Sequence, residues 1–388
     1  MIVAPGSRFQ KLALTHALIA AGDAAMVVAL ADSFFFDVDP NGARSKVLAF
    51  LLVSFTPFLL VAPFIGPVID RVRGGRRLVV QGIAFARIPV MLAMIKFSSG
   101  FGLFPLVFVS LVLQRTYSVS RSALVPSVVR NDAELVEANS KLGVIAGIVG
   151  TLAVLPAGLL QLTIGTSATF AYGAVVFVAA FVASLRLPAE LPPQVVPTTA
   201  RVEGEAVAFA APSLTLAAAA MMLLRASVGF MLFHLAFWFR TNDHGDVLLG
   251  AAVALASVGS FVGNSVGPRV RLWLDEERML TVALTLPALA GVVAAVAGGA
   301  VAGIAVAMIV NFAAALGRLA FDSLVQRDGP HTNRGEAFAR FETAFQLAWV
   351  VAAVLPVLVE MPGRLGLLLI GAVGASAVVN YLSGAGRA

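Results

Sequence analysis

The chain has 388 residues, 59% of them hydrophobic and only 12% charged, with a mean hydropathy of +0.94. Soluble domains carry about 25% charged residues, so this composition speaks against a soluble enzyme, a receptor with a large ectodomain and a nucleic-acid binder, despite a formal net charge of +6. A membrane-crossing helix needs about 20 mostly apolar residues, and the length holds about twelve such spans with short loops and little else.

Taken in chain order, apolar stretches between charged or Pro/Gly-rich breaks place spans near 10–36, 45–69, 78–97, 101–129, 138–163 and 166–187. A second set follows near 213–239, 247–270, 279–298, 300–326, 337–360 and 363–383. The expectation is an all-α membrane protein of twelve transmembrane helices in two six-helix halves, 1–187 and 213–388. The stretch 188–212, with Pro188, Pro192, Pro193, Pro197 and three glutamates, reads as a cytoplasmic connector. Arg8 and Lys11 before an apolar run ending Ala29-Leu30-Ala31 imitate a cleavable signal, but the run is long and contains Asp23, which argues for retention as the first span.

Orientation follows from basic residues in alternate loops. Seventeen of the 27 lysines and arginines fall at the termini, in the even-to-odd loops or on their flanks; five fall in the opposite loops and five inside spans. Both termini are therefore expected in the cytoplasm. With no cysteine, the chain has no disulfide framework or thiolate metal site, and its four scattered histidines form no metal-binding motif. No cofactor is implied. Arginine outnumbers lysine 23 to 4 in an alanine-rich chain, which suits a GC-rich bacterial coding bias and a bacterial inner membrane.

Two segment pairs repeat at nearly one offset. GPVIDRVRGGRR from residue 66 corresponds to GPRVRLWLDEER from 267, each ending the second span of its half. Arg121, Ala123 and Arg130 correspond to Arg318, Ala320 and Arg327, at the ends of the fourth spans. Parallel six-span repeats are an architecture of secondary transporters.

At Gly66, Asp70, Arg71, Gly75, Arg76 and Arg77 the first of these segments resembles the loop motif GxLxDRxGRR of the major facilitator superfamily, with Pro67-Val68-Ile69 as altered filler and extra residues, Val72 to Gly74, separating the Asp-Arg pair from the Gly-Arg-Arg. The stretch ALVPSVVRNDAELVEANSKLG, with Pro126, Asp132, Ala138 and Asn139, looks like the branch containing the enterobactin exporter and macrolide-efflux-like permeases. Gly143, Gly147, Gly150, Pro156 and Gly158 in the fifth span resemble a degraded antiporter motif, with Leu155 where a glycine precedes the proline. The resemblance implies a conformational gate at Gly66, Asp70, Arg71 and Arg76, with Glu342 of FARFETAFQLAW opposite it. Topology determinants and lipid contacts are the plainer account of the arginines.

An ionisable side chain at a span centre costs roughly 2.5 to 3.5 kcal/mol on insertion scales, so such residues face a cavity or each other. Asp23 is in span one, Arg87 in span three, Arg115 and Arg121 in span four, Arg225 in span seven, Arg318 and Asp322 in span ten. Except for Arg87, all lie in spans that the resemblance implies line the central cavity. Asp23 is the proton-coupling candidate: a carboxylate exposed to each side in turn can bind a proton on one side and release it on the other. The competing account pairs it permanently with Arg115. Arg115, Arg225, Arg318 and Asp322 are the substrate-cavity candidates, and a local ion pair is the plain alternative for Arg318 and Asp322, four apart on one helix face. One mid-span acid against Arg115 and Arg225 favours an anionic or amphiphilic substrate over a cationic drug.

Gly263-Asn264-Ser265-Val266-Gly267 fits GxSxG, yet it lies in an apolar helix where no nucleophile elbow forms, and Gly259, Gly263 and Gly267 read as a stripe for close helix packing. The expectation is a monomeric, non-enzymatic, proton-coupled exporter of a small molecule, with protons and membrane lipids as further partners and no nucleic acid. A drug or macrolide efflux pump and a non-transporting scaffold or receptor of the same fold are the alternatives.

Overall fold

The structure, a computed structural model, describes residues 6–31, 75–98, 102–131, 134–188, 212–239, 245–328 and 334–385. Among these residues eleven helices are long and apolar enough to cross a membrane. They are α1 (Arg8–Ala31), α2 (Gly75–Phe97), α3 (Leu103–Val128), α4 (Leu135–Thr163), α5 (Thr166–Ser184), α6 (Pro212–Phe239), α7 (Gly245–Arg271), α8 (Glu276–Ala297), α9 (Gly299–Asp328), α10 (Arg334–Leu358) and α11 (Gly363–Ala385). Each coincides with an expected span to within three residues at the start. The expected span at 45–69, most of the 188–212 connector, and Gly66, Asp70 and Arg71 lie outside the described residues.

Boundaries follow local chemistry. Asp275 caps α8 by accepting from the backbone N–H of Arg278 at 2.8 Å, and Glu276 and Glu277 place negative charge at the positive end of the helix dipole. Gly165, at φ 106°, turns α4 into α5, and Gly298 and Gly299, at φ 69° and 82°, turn α8 into α9, conformations that side chains with a Cβ rarely adopt. Helices without caps run on apolar composition alone, and large side chains face outward along them. Leu162 of α4 is 88% exposed and Leu155 68%, a surface that needs lipid for a solvent.

The helices group into two compact units, the first carrying α1–α5 and the second α6–α9, α11 and α10 from Arg340 onward. In the first, α1 packs on α4 and α5, α5 on α2, and α2 on α3. Gly22 of α1 lies against the Phe177 ring of α5, and Gly173 of α5 against Met91 of α2. In the second, α9 packs on α7, α8 and α6, while α11 packs on α8 and α6. Gly259 and Gly263 of α7 lie against the backbone carbonyls of Met308 and Phe312, so the expected small-residue stripe is a helix-packing seam on α9. Four neighbour pairs recur: α1 with α3 as α6 with α9, α1 with α5 as α6 with α11, α2 with α5 as α8 with α11, and α2 with α3 as α8 with α9.

Candidate functional site

In the first unit, α1 brings His16 and Asp23 to one face, seven residues apart, where α3 meets His16 and α2 meets Asp23. The carboxylate of Asp23 is bound by the guanidinium of Arg87 on α2. Arg87 has no exposed surface; it also donates to the Ser110 carbonyl of α3 at 3.0 Å and lies 4.9 Å from the centre of the Phe177 ring of α5. Asp23 keeps 19% of its side chain exposed. The competing partner for this acid in the sequence is Arg115, and the fold gives Asp23 to Arg87 instead. Arg115 stands half-buried on α3, two residues from Tyr117 and so on a different face of that helix.

About two turns toward the N-terminus of α1, His16 is buried, with Nδ1 3.0 Å from the Tyr117 hydroxyl and Nε2 3.2 Å from Nη1 of Arg121. A guanidinium only donates, so Nε2 accepts, and Nδ1 carries the hydrogen that reaches the Tyr117 oxygen. A ring protonated on both nitrogens has no lone pair to offer Arg121. At the start of α2, Arg77 donates to the Leu185 carbonyl and Gln81 to the Ser184 carbonyl, both at 3.1 Å, satisfying the free carbonyls at the end of α5. Arg76 is half-buried beside them.

In the second unit three of the expected site residues come together. Arg318 Nε lies 2.8 Å from Asp322, its helix neighbour four residues on, and Nη1 donates to Glu342 of α10 at 2.7 Å. Glu342 was expected at a gate or an interface; it is buried and ties α10 to α9. Phe321, Phe341 and Phe345 form an aromatic cluster here, with the Arg318 guanidinium 5.9 Å from the Phe345 ring centre. Arg225 of α6 donates to Gln346 Oε1 at 3.3 Å, one turn along α10 from Glu342. The segment from 267 also closes on the one from 318: Glu276 accepts from Arg271 at 2.9 Å and from Arg327 at 3.1 Å, binding the ends of α7, α8 and α9.

The residue that sequence reasoning passed over is Arg87, set aside because it lies off the spans that carry the other charges. Its signal was stoichiometric, since a mid-span cation needs an acid and Asp23 is the one mid-span acid of the first half. Arg121 and Arg318, matched across the repeats, take different partners, His16 and the Asp322–Glu342 pair. Ser265 sits within α7 with its hydroxyl donating to the Phe261 carbonyl at 2.8 Å, so GxSxG forms no nucleophile elbow. No group of three or more His, Cys, Asp or Glu side chains suited to a metal occurs among the described residues.

Comparison with known proteins places these observations in a family. The chain is 29% identical over 376 residues to the uncharacterized protein ML2143 of Mycobacterium leprae, covering 87% of this chain and 64% of that protein, so it spans just under two thirds of its relative's length. It is 35% identical over 150 residues to the uncharacterized protein Rv0876c of Mycobacterium tuberculosis, 36% of this chain and 27% of that one. Among solved structures, a bacterial homologue of the iron transporter ferroportin in an outward-facing state aligns with TM-score 0.74 at 18% identity, over 98% of this chain and all of the other. The transporter FucP aligns with TM-score 0.74 at 11% identity over 99% of both chains, and the human organic anion transporter MFSD10 with TM-score 0.72 at 15% identity over 98% and 100%. These likenesses establish the fold. A profile of the Major Facilitator Superfamily matches residues 12–353, a range that takes in ten of the eleven helices and every buried charge described above, and the chain belongs to that superfamily of transporters.

Proposed function

We propose that the protein is a proton-coupled exporter, an antiporter, of a small amphiphilic or anionic compound, working by alternating access between two six-helix halves at 1–187 and 213–388. In this reading it sits in a bacterial inner membrane as a monomer with both termini in the cytoplasm. The observation that carries it is the Asp23–Arg87 pair: a carboxylate inside a membrane span, partly exposed, held by a cation with no other exposure. A proton and the guanidinium compete for the same oxygens, so protonation of Asp23 weakens its tie to α2 and gives α1 a second arrangement. Arg115, Arg225, Arg318 and Asp322 are the substrate-facing groups of this scheme, and Gly66, Asp70, Arg71, Arg76 and Glu342 its gate.

The mycobacterial relatives bear no assigned cargo, and the structural neighbours are named for iron, fucose with protons, and organic anions. The fold therefore leaves the cargo to this chain's own residues, whose arginines favour an anion. The test is uptake and efflux in proteoliposomes under an imposed pH gradient, across fatty acids, siderophores and cationic dyes, with Asp23→Asn as control. Anion movement that follows the gradient and collapses in Asp23→Asn is expected. Movement indifferent to the gradient refutes the coupling, preferential movement of dyes favours a multidrug or macrolide pump, and no movement of any class favours a scaffold.

A further inference from the structure

Small side chains leave a gap in the second unit. α6 meets α9 at two levels, Leu224 against Gly317 and Leu235 against Gly303, and α7 meets α9 where Gly259 and Gly263 lie against the Met308 and Phe312 carbonyls. Between the two α6 contacts, Ala252 and Ala256 of α7 and Ala307 of α9 are too short to fill the space. A cavity of about 210 Å³ remains, with Val228 and Met231 of α6 also on its wall. Leu232 and Val253, on the same wall, are 39% and 47% exposed, so the cavity borders exposed surface. Neither Arg225, Arg318 nor Asp322 lines it.

Two polar side chains on this wall, Ser260 of α7 and Asn311 of α9, stand at one level, since Gly259, beside Ser260, lies against Met308 and Phe312. A serine in an apolar helix ordinarily donates to the carbonyl four residues back, as Ser257 and Ser265 do at 2.9 and 2.8 Å. The Ser260 hydroxyl makes no hydrogen bond among the described residues. Asn311 donates its amide to the Ala307 carbonyl at 2.9 Å, which fixes Nδ2 on that carbonyl and leaves Oδ1 as an acceptor with no donor among the described residues. The wall thus offers a hydroxyl and a carboxamide oxygen, both neutral, and none of its lining residues is charged. An ion here loses its hydration and meets no counter-charge on the wall. An uncharged molecule with one hydroxyl can donate to Asn311, accept from Ser260 and set its hydrocarbon against the rest.

We propose that this cavity binds a small uncharged molecule, mostly hydrocarbon and carrying one hydroxyl, which donates to Asn311 Oδ1 and accepts from Ser260 Oγ. The inference goes beyond the transport reading, whose charged groups it does not use, and adds a second class of ligand. Size follows from volume: a dry apolar cavity of about 150 Å³ takes benzene, so this one takes about eight or nine non-hydrogen atoms.

The experiment uses the full chain in nanodiscs, labelled with carbon-13 at the methionine methyls, and follows by NMR the Met231 signal, assigned through Met231→Leu. The probes are 4-ethylphenol, ethylbenzene and 4-ethylbenzoate. 4-Ethylphenol is expected to shift the Met231 signal saturably, and 4-ethylbenzoate, ionised at neutral pH, to leave it in place. Ser260→Ala and Asn311→Leu should each weaken 4-ethylphenol binding about fivefold, the worth of one neutral hydrogen bond, and leave ethylbenzene bound as well or better. Melting temperatures identify the folded variants, and one of the two suffices. The absence of a saturable shift, an equal shift with 4-ethylbenzoate, or unchanged 4-ethylphenol affinity in a folded variant overturns the proposal. Binding is read without a gradient, so failure of proton-coupled export leaves this site standing, whereas transport with no 4-ethylphenol binding overturns the site alone.

Discussion

A guanidinium with no exposed surface inside a membrane span has to find its counter-charge within reach, and Arg87 finds it in Asp23 across the α1–α2 contact. Removing one member of a buried pair costs far more than the pair contributes, because the other charge is left desolvated. Arg87→Met is expected to destabilise the protein by about 3 kcal/mol, at the low end for buried pairs because the Asp23 left behind is partly exposed, and Asp23→Asn by at least as much, since an amide still accepts a bond but leaves a guanidinium with no exposed surface without a counter-charge. Thermal unfolding in detergent checks this; a clearly smaller loss for Asp23→Asn would make the pair a hydrogen-bonded packing contact rather than an electrostatic one. The Arg318 cluster divides differently. Asp322 is a helix neighbour at i+4, an arrangement worth about 0.3 to 0.5 kcal/mol in exposed helices, whereas Glu342 joins two helices. Glu342→Gln should therefore loosen α10 and cost about 1.5 to 3 kcal/mol as a lost charge-assisted bond, with Asp322→Asn milder; hydrogen exchange over 334–358 reads the difference directly. These partners were not legible in the chain. Charge placement announced that Asp23, Arg318 and Glu342 needed partners, but partner choice depends on which helices touch, and span three touching span one through Arg87 is a tertiary fact.

Element boundaries, by contrast, were legible, because a bilayer requires each crossing segment to be long, apolar and internally hydrogen-bonded. Little tertiary context enters that requirement, so α2 through α11 begin within three residues of the expected spans. Glycine roles were legible only in part, since a stripe reads the same whether it meets a helix or open space. A Cβ at Gly263 would stand 2.6 Å from the Phe312 carbonyl oxygen, whereas Gly150 and Gly158 of α4 have nothing within 4 Å. Backbone cannot step aside as a side-chain tip can, so Gly263→Leu should part α7 from α9 and lower the yield of folded protein sharply. Gly150→Ala and Gly158→Ala should leave stability unchanged or raised by up to about 1 kcal/mol, the helix-propensity gain of alanine over glycine. If these two alanine variants fold normally yet slow efflux, the α4 glycines act in the transport cycle, as the antiporter-like motif implies. Unchanged efflux would leave the motif without a role.

At the scale of the whole molecule, the repeat and the charge surplus make one argument about orientation. The second-half copy of the repeated loop closes into a network, with Glu276 between Arg271 and Arg327. At the offset of the repeat, Arg271 stands where the first half has Asp70 and Glu277 where it has Arg76, while Arg278 keeps the charge of Arg77, so two charges change sign between the loops. The two loops therefore contribute unequally to the net charge. The excess of arginine and lysine in alternate loops predicts an orientation, since basic residues near span ends favour the cytoplasmic side. A cysteine-free chain allows a direct measurement. A cysteine replacing Val72, in the loop after the second expected span, should resist a membrane-impermeant maleimide added to intact cells and react only after permeabilisation. A cysteine replacing Thr241, between α6 and α7, should react at once. Labelling in the opposite order would invert the molecule and place the Arg271–Glu276–Arg327 network outside the cell.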